Sequence, residues 1–337
     1  MSEVCLVTGA SGFIGGCLAK RLVDEGFSVR CLIRASSDTS LLDQLNVQIA
    51  VGDLRSASSL ARAVDGCDYV FHCGALVSDW ATTDEIAAIN VAGTRNLLEA
   101  AIAARVRRFI HVSSTDVYGH PDGTAIDESH TATRFANWYA QTKRDGEAEV
   151  RRAQATHGLA AVILRPATVY GPGSKEVIGE IARAIRGRHM VLIDRGRAIA
   201  GLCYVENLVD AALLALRDET APGHTFNVSD GLSITWKELT DGLAAGLDCP
   251  QVRWSLPYRL AHSVGFLLEH GYRVLRRTTG LSMAPLLSRQ AVQVLGKSQD
   301  FSSHKLQEML GWQPRVDYET GLEATVAWLR TEYLRPS

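Results

Sequence analysis

Short apolar runs alternate with amphipathic segments over the first 170 residues of the chain. Between the runs, apolar residues recur three and four positions apart, as at Leu60, Ala63 and Val64, which is typical of a helix with one buried face. The runs themselves are continuously apolar and rich in β-branched residues, which indicates strands of a parallel sheet buried on both faces. The predicted strands are residues 4–8, 29–33, 47–51, 69–73, 108–113 and 160–165. This alternation predicts an α/β fold with a doubly wound parallel sheet.

The alternation weakens after Gly171-Pro172-Gly173. Helices are predicted over 175–185 and 207–216 and strands over 203–205 and 225–228, whereas residues 232–288 become helical with scattered prolines. We therefore expect a larger domain of residues 1–173 with about 202–230. A smaller, mainly helical lobe of about 174–201 and 231–337 would face the carboxyl edge of the sheet and hold the substrate.

Composition and charge narrow the classes of function. The 35 Lys and Arg residues nearly balance 37 Asp and Glu residues, for a net charge of −2, which gives no field that would attract nucleic acid. No apolar run reaches the roughly 18 residues of a membrane-spanning helix, and the N-terminus lacks the features of a signal peptide. Seven cysteines, an odd number without metal-ligand spacing, indicate a reducing compartment. We expect a cytoplasmic protein without a metal site.

A glycine-rich turn joins the first strand to the first helix. Gly9, Gly12 and Gly15 stand between the run Val4–Thr8 and a helical pattern of leucines. Such glycines permit a tight turn, close approach of a pyrophosphate and close packing of helix on strand, while the helix N-terminus offers N–H groups to the phosphates. The order of strand, turn, helix and second strand predicts a dinucleotide site in a Rossmann-type domain.

The residue after the second strand bears on the choice of dinucleotide. An NAD site usually has an acid there for the ribose hydroxyls, but this chain has Ile33 followed by Arg34. A guanidinium can bind a 2′-phosphate through two charge-assisted hydrogen bonds. The sequence favours NADP(H), with NAD(H) as the alternative.

Three hydroxyl- or amine-bearing residues form the candidate catalytic set. Tyr139 and Lys143 are four residues apart, hence on one helix face, and Ser114 follows the predicted fifth strand. Such a pair alone would be an ordinary exposed one, but its position after a dinucleotide site indicates catalysis. A neighbouring ammonium and an oxidised nicotinamide should lower the phenol pKa from about 10, so that Tyr139 exchanges a proton with an alcohol or alkoxide. Ser114 should donate a hydrogen bond to the same substrate oxygen.

With these motifs the sequence resembles the extended short-chain dehydrogenase/reductase family over nearly its whole length. The matching motifs, in chain order, are Thr8-Gly-Ala-Ser-Gly-Phe-Ile-Gly15, Gly52-Asp53-Leu54, His72-Cys-Gly-Ala75, Asn90-Val-Ala-Gly-Thr94, Ser113-Ser114, Tyr139-x-x-x-Lys143 and Arg165-Pro166. The resemblance implies that Asp53 and Leu54 border the adenine and that Ala75 and Asn90 lie beside the ribose or nicotinamide. It also implies the catalytic set Ser114, Tyr139 and Lys143, with Lys143 reaching the ribose, and a homodimer through helices at 84–104 and 137–157. The candidate cofactor-binding residues are Gly9, Ser11, Gly12, Phe13, Ile14, Gly15, Arg34, Asp53, Leu54, Ala75, Asn90, Tyr139, Lys143, Pro166 and Thr168.

Within that family the sequence is most similar to the branch of 3β-hydroxysteroid dehydrogenases and 2-alkyl-3-ketoalkanoate reductases. Nucleotide-sugar epimerases and dehydratases usually carry Asn at the position of Thr168 and Arg at that of Ala200, although Arg195 and Arg197 are close enough in sequence to substitute. We therefore expect an oxidoreductase that interconverts a secondary alcohol and a ketone on a lipophilic substrate. The alternatives are a nucleotide-sugar epimerase or dehydratase, and a non-catalytic NADP(H)-binding sensor.

The segment 251–280 combines an apolar stripe with five arginines and one acid, Glu269. The stripe consists of Leu260, Val264, Leu267, Leu268, Gly271 and Leu275. We expect it to pack over the pocket as a lobe helix, and a peripheral helix at a membrane surface is the alternative.

Overall fold

A seven-stranded parallel sheet forms the centre of the computed structural model, which describes residues 2–78, 81–132, 135, 138–279 and 289–335, with the backbone alone at 269–279 and 289. Its strands are β1 (Val4–Thr8), β2 (Ser28–Ile33), β3 (Val47–Val51), β4 (Tyr69–His72), β5 (Arg108–Val112), β7 (Ala161–Pro166) and β11 (Thr225–Val228). Their order is β11-β7-β5-β4-β1-β2-β3. The order reverses between β1 and β4, which leaves a crevice at the carboxyl ends of these two strands.

Helices cover both faces of the sheet. Cys5 and Val7 of β1 point to the face that is covered by α1 (Phe13–Asp24) and α7 (Val205–Arg217), and Leu6 points to the opposite face. That opposite face is covered by three helices, which are α2 (Ala57–Val64), α4 (Thr94–Ala103) and α5 (Trp138–His157). Burial on both faces explains why the strand residues read as continuous apolar runs.

The second half of the chain adds a smaller lobe with its own apolar cluster. Its helices are α6 (Glu180–Arg186), α8 (Trp236–Gly246), α9 (Tyr258–Thr279), α10 (Arg289–Gly296) and α12 (Tyr318–Trp328), whereas α11 (His304–Leu310) packs on the core of the main sheet. Three short parallel strand pairs accompany them, which are β10 (Leu202–Tyr204) with β8 (Thr168–Tyr170), β12 (Ser255–Leu256) with β9 (Leu192–Ile193), and β13 (Gln299–Phe301) with β6 (Gly123–Ile126). Buried Trp236 and Trp328 belong to the apolar cluster of this lobe.

Three helical segments are π-helical, at Ala88–Gly93, Lys175–Gly179 and Leu329–Tyr333. The first continues the short helix α3 (Thr83–Ala87) into α4, and the second precedes α6. Single π-helical turns within helices are often found at functional sites, and the second one borders the crevice described below.

The predicted strands are confirmed to within a residue at each end, and the helices predicted at 175–185 and 207–216 are present with slightly different ends. The expected packing of the apolar stripe in α9 is wrong in its described part. Ala261 is buried, whereas Leu260 and Leu267 are 51% and 68% exposed, because the helix packs through its small residues. The side chains of Gly271 and Leu275, and residues 280–288, lie outside the described part. No described helix has the length and apolar character needed to cross a membrane.

Candidate active site

A cleft of about 530 Å³ opens where the strand order reverses. The glycine-rich turn forms one wall, and the ends of β2, β3 and β4 contribute the others. Ser174, Glu176 and Val177 of the smaller lobe border it too. Of the candidate cofactor-binding residues, the cleft is lined by Gly9, Ser11, Gly12, Phe13, Ile14, Gly15, Arg34, Asp53, Leu54 and Ala75.

The geometry of the turn explains why glycine stands at two of these positions. Gly9 has φ +69°, and a Cβ added there would lie 2.8 Å from the amide nitrogen of Gly74. A Cβ on Gly15 would lie 2.3 Å from the carbonyl oxygen of Gly9. The turn therefore holds α1 directly against β1 and β4. Gly12 is the N-cap of α1, and among the described residues no side chain caps this end, so its first N–H groups can bind an anion.

Arg34 and Asp53 lie together at the far end of the cleft. Arg34 is exposed, and its backbone forms a turn with Ser37, whose hydroxyl also lines the cleft. The Asp53 carboxylate accepts two hydrogen bonds from the Arg55 guanidinium, at 2.9 and 2.7 Å, and these lower its pKa to about 2. Because Arg55 compensates the charge of Asp53, this end of the cleft does not repel a further phosphate.

Five candidate cofactor-binding residues do not line this cleft themselves, and two of these, Tyr139 and Lys143, belong to the catalytic set described below. Asn90 is buried, accepts a hydrogen bond from the Leu76 amide at 2.7 Å and donates one to the Leu76 carbonyl at 3.1 Å, so it fixes a cleft-lining segment. Thr168 donates a hydrogen bond to the Ala200 carbonyl at 2.9 Å. Pro166 is the last residue of β7.

The three candidate catalytic residues meet at the carboxyl end of β5. Ser114 is the N-cap of the 3-10 turn Thr115–Tyr118 that follows β5, and its hydroxyl forms a hydrogen bond with the half-buried Tyr139 phenol. Lys143 lies one turn further along α5, and its Nζ donates a hydrogen bond to the Val112 carbonyl at 2.7 Å. The strand end and the helix thus bring together a hydroxyl, a phenol and an amine from distant parts of the sequence.

The pKa of Tyr139 reflects its surroundings in the protein alone. In the absence of cofactor the pKa is raised, because burial disfavours the phenolate and the Asp116 carboxylate repels it. The hydrogen bond from Ser114 acts in the opposite direction but is outweighed. Without cofactor Tyr139 is therefore a neutral phenol at pH 7, and the lowering expected from Lys143 together with an oxidised nicotinamide stays a prediction for the cofactor-bound protein.

Lys143 is almost completely buried, which lowers the pKa of its amine to about 8. Glu147 and Asp116 act in the opposite direction and favour the ammonium form. At neutral pH the amine is therefore mostly charged, but it titrates much closer to neutrality than an exposed lysine.

A buried ion pair beneath Lys143 is not apparent from the sequence. The Glu147 carboxylate accepts hydrogen bonds from Arg165 at 2.8 and 2.7 Å and from the Ser113 hydroxyl at 2.6 Å. Arg165 also donates a hydrogen bond to the Tyr118 hydroxyl at 2.8 Å. Ser113 and Tyr118 stand on either side of Ser114 in the chain, so the pair ties the segment that carries Ser114 to α5. The only signal of this buried pair in the sequence is the four-residue spacing from Lys143 to Glu147, which places Glu147 on the same helix face.

A second acidic residue beside the phenol was also missed. Asp116 accepts a hydrogen bond from the Gln290 amide of the smaller lobe at 3.4 Å and lies 3.5 Å from the His120 ring. The contact with Gln290 joins segments more distant than any local pattern can show, whereas His120 is only four residues from Asp116. The two contacts place a carboxylate next to Tyr139 and link the smaller lobe to the catalytic residues.

The residues of the cleft fit a nicotinamide dinucleotide. A glycine cradle that would not admit a Cβ, an uncapped helix N-terminus and an arginine at the far end suit a pyrophosphate and a ribose. Such a group supplies or accepts a hydride when it is bound. Among the described residues, no cluster of three or more His, Cys, Asp or Glu side chains could hold a metal ion.

Comparisons with known proteins agree with this geometry. The sequence profile of the NAD dependent epimerase/dehydratase family matches residues 5–229. The chain is 33% identical over 327 residues to the 4-hydroxy-2-methyl-3-oxo-4-farnesyl-3,4-dihydroquinoline-1-oxide ketoreductase of Stigmatella aurantiaca, and the match covers 94% of each chain. It is also 33% identical over 325 residues to a 3 beta-hydroxysteroid dehydrogenase/Delta 5-->4-isomerase of Mycobacterium tuberculosis, with 92% of this chain and 85% of that protein covered.

A solved structure is similar over the whole chain as well. The crystal structure of gox2253 matches with a TM-score of 0.80 and 28% sequence identity, and the match covers 98% of both chains. The predicted Rossmann-type fold and the predicted branch are thus confirmed, and the names of the relatives indicate oxidoreductase chemistry. The chain, with its glycine cradle and its Ser-Tyr-Lys cluster, therefore belongs to the NAD dependent epimerase/dehydratase family.

Proposed function

We propose that the protein is an NADP(H)-preferring oxidoreductase that interconverts a ketone and a secondary alcohol on a lipophilic substrate. The observation that carries the proposal is the meeting of Ser114, Tyr139 and Lys143 at the carboxyl end of β5, where the Tyr139 phenol is protonated and the Val112 carbonyl holds Lys143. A protonated phenol beside a hydroxyl is the arrangement that ketone reduction requires, because the developing alkoxide needs a proton donor.

In this proposal each catalytic residue has one task. Ser114 and Tyr139 donate hydrogen bonds to the ketone oxygen and stabilise the negative charge that develops there. Tyr139 then gives its proton to that oxygen. Lys143 in its ammonium form, held by the Val112 carbonyl at 2.7 Å, stabilises the phenolate that remains. A dinucleotide held in the cleft would supply the hydride.

The preference for NADP(H) is supported by the charges at the far end of the cleft. Arg34 is exposed beside it, and the acid of that region, Asp53, is already paired with Arg55. The arrangement leaves a guanidinium available to a 2′-phosphate. NAD(H) would bind without this contact.

A lipophilic substrate is supported by two further observations. The relatives described above are named for a farnesylated ketone and for a steroid. In addition, the position where nucleotide-sugar enzymes usually carry arginine is Ala200, which is completely buried. Arg195 and Arg197 line a separate cleft with Asp122 and Ser255, rather than the cofactor cleft.

The proposal is tested by following NADPH fluorescence with a panel of ligands. We expect consumption of NADPH with bulky aliphatic or polycyclic ketones and none with UDP-glucose, whose conversion by an epimerase would instead leave NADPH unchanged and yield UDP-galactose. Formation of UDP-galactose would contradict the proposal. Tight NADPH binding without turnover of any ketone would also contradict it and would favour a sensor.

A further inference from the structure

The surface of α9 and of the segment before it is unusually apolar. Among the large apolar side chains exposed there are Trp254, Leu260, Leu267 and Leu268, which are 76%, 51%, 68% and 41% exposed. We call this set the apolar patch. An exposed cluster of this kind is uncommon on a protein that is surrounded by water alone and marks a surface for association.

The apolar patch is distinct from the side of α9 that packs on the smaller lobe. The helix packs on the smaller lobe through Tyr258, Ala261 and Gly265, where Ala261 contacts the cluster around Ile193 and Val292. Leu260 and Leu267 lie on a different side of the helix from Ala261 and Gly265, since each residue advances roughly 100° around the axis. The helix therefore has a packed side, which includes Ala261 and Gly265, and an outward side, which includes Leu260 and Leu267.

Positive charge borders the patch. Residues 251–268 contain Arg253 and Arg259, both exposed, and no Asp or Glu. Arg195 and Arg197, also exposed, line a neighbouring cleft of about 720 Å³ together with Ser255 and Pro257. The backbone N–H of Arg195 donates a hydrogen bond to the Ser255 hydroxyl at 2.7 Å, which fixes this cleft beside the start of α9.

Acidic groups in the same region are fewer and are partly engaged. Asp194 accepts a hydrogen bond from the Tyr258 amide, and Asp122 accepts one from the Ser298 amide, both at 2.9 Å. In the part of the chain that the structure describes, none of the four arginines forms an ion pair. The border of the patch thus carries net positive charge.

We propose that this surface docks on a lipid bilayer with anionic headgroups. Leucine side chains and a tryptophan enter the boundary of headgroups and acyl chains, while Arg253, Arg259, Arg195 and Arg197 lie at the level of the phosphates. Tryptophan favours this interface because its ring is apolar and its N–H is polar. A second copy of this surface or an apolar protein surface would leave the four exposed arginines without counter-charges, whereas an anionic membrane supplies them.

The test uses vesicles and needs no substrate, so its outcome does not depend on the proposed function. The full chain is sedimented with vesicles of phosphatidylcholine and with vesicles that contain about one third phosphatidylglycerol. We expect binding to the anionic vesicles only, and we expect it to weaken when the salt concentration rises from about 0.05 M to about 0.5 M. Loss of binding in Leu267→Ser or Trp254→Ala identifies the patch, and loss in Arg253→Gln/Arg259→Gln identifies the charges.

Matched controls are available on the Rossmann-type domain. Val51→Ser removes a side chain that is 60% exposed on β3, and Arg62→Gln removes an exposed cation on α2. Both should bind vesicles like the unchanged protein. The proposal is overturned if the unchanged protein does not bind anionic vesicles, or if Leu267→Ser binds them equally well. It is also overturned if light scattering shows that Leu267→Ser converts a dimer to a monomer, since the patch would then be a subunit interface.

Discussion

Lys143 has an amine whose pKa, about 8, lies within the range of ordinary assays. Burial lowers the pKa, so the ammonium loses its proton at a lower pH than an exposed lysine would. Tyr139 does not titrate in that range, because its pKa is raised. We therefore predict that kcat/KM for ketone reduction falls as the pH rises through about 8. A rate that stays constant up to pH ~10, near the pKa of a free lysine, would show that the charge of Lys143 is not used.

Arg34 gives a prediction about the cofactor. Arg34→Ala should weaken NADPH binding by about 1.5–3 kcal/mol, the scale of hydrogen bonds to a charged group, and leave NADH binding nearly unchanged. Titration of the protein with each dinucleotide, followed by fluorescence, measures both affinities. Arg62→Gln is the control for a general loss of positive charge. Equal losses for NADPH and NADH would exclude a contact with the 2′-phosphate.

At the scale of the helix, α5 carries Tyr139, Lys143 and Glu147 on one face at intervals of four residues. The Glu147 charge raises the pKa of Lys143. Glu147→Gln removes this charge but keeps an oxygen that can accept from Arg165. We predict that the fall of kcat/KM with pH then begins at a lower pH than in the unchanged protein.

Two other changes on α5 serve as controls for that shift. Arg151 donates a hydrogen bond to Glu147 at 2.8 Å, so Arg151→Gln should move the fall in the opposite direction. Glu149 is paired with Arg95 on another face of the helix, so Glu149→Gln should not move it. An unchanged pH profile in Glu147→Gln would show that the Glu147–Arg165 pair does not affect the titration of Lys143 and serves stability alone.

The turn before α1 gives a prediction about packing. A methyl group on Gly15 would overlap the Gly9 carbonyl oxygen, and neither backbone can move far between β1 and β4. Gly15→Ala should therefore lower the free energy of unfolding by about 1–3 kcal/mol, as overpacking does, and should also weaken NADPH binding. Urea unfolding and a fluorescence titration measure the two effects.

Gly123→Ala is the matched control, because its Cβ would lie 3.6 Å from the Ile126 side chain, an ordinary contact. We expect its free energy of unfolding to change by less than about 0.5 kcal/mol. If Gly15→Ala behaves in the same way, the close approach of α1 to the turn is not required.

At the scale of the whole molecule, the features predicted correctly from the sequence are those that depend on a local pattern of residues. β1, β3 and β11 have the predicted ends, because in each a short run with apolar and β-branched residues is bounded by polar or turn residues. The glycine turn and the Tyr139/Lys143 spacing were readable for the same reason. Each of these motifs lies within one strand, one turn or one helix face, so its prediction does not depend on a contact between distant segments.

The features that were missed depend on contacts between distant residues. The short strand pairs of β12 with β9 and of β13 with β6 join two to four residues across long separations, and no local propensity marks them. The Glu147–Arg165 pair and the Asp116–Gln290 contact are of the same kind. The raised pKa of Tyr139 in the absence of cofactor is of the same kind, since a sequence does not show the degree of burial or the position of Asp116.

The central claim is that Tyr139 is the proton donor to a ketone. It is tested most directly by comparing Tyr139→Phe with the unchanged protein in single-turnover reduction of a ketone by bound NADPH. We predict that the rate falls by about 10²–10⁴-fold, the contribution of a positioned acid, while the dissociation constant for NADPH is nearly unchanged. A phenylalanine enzyme that reduces the ketone within roughly threefold of the original rate would contradict the account, since so small a loss lies far below that contribution.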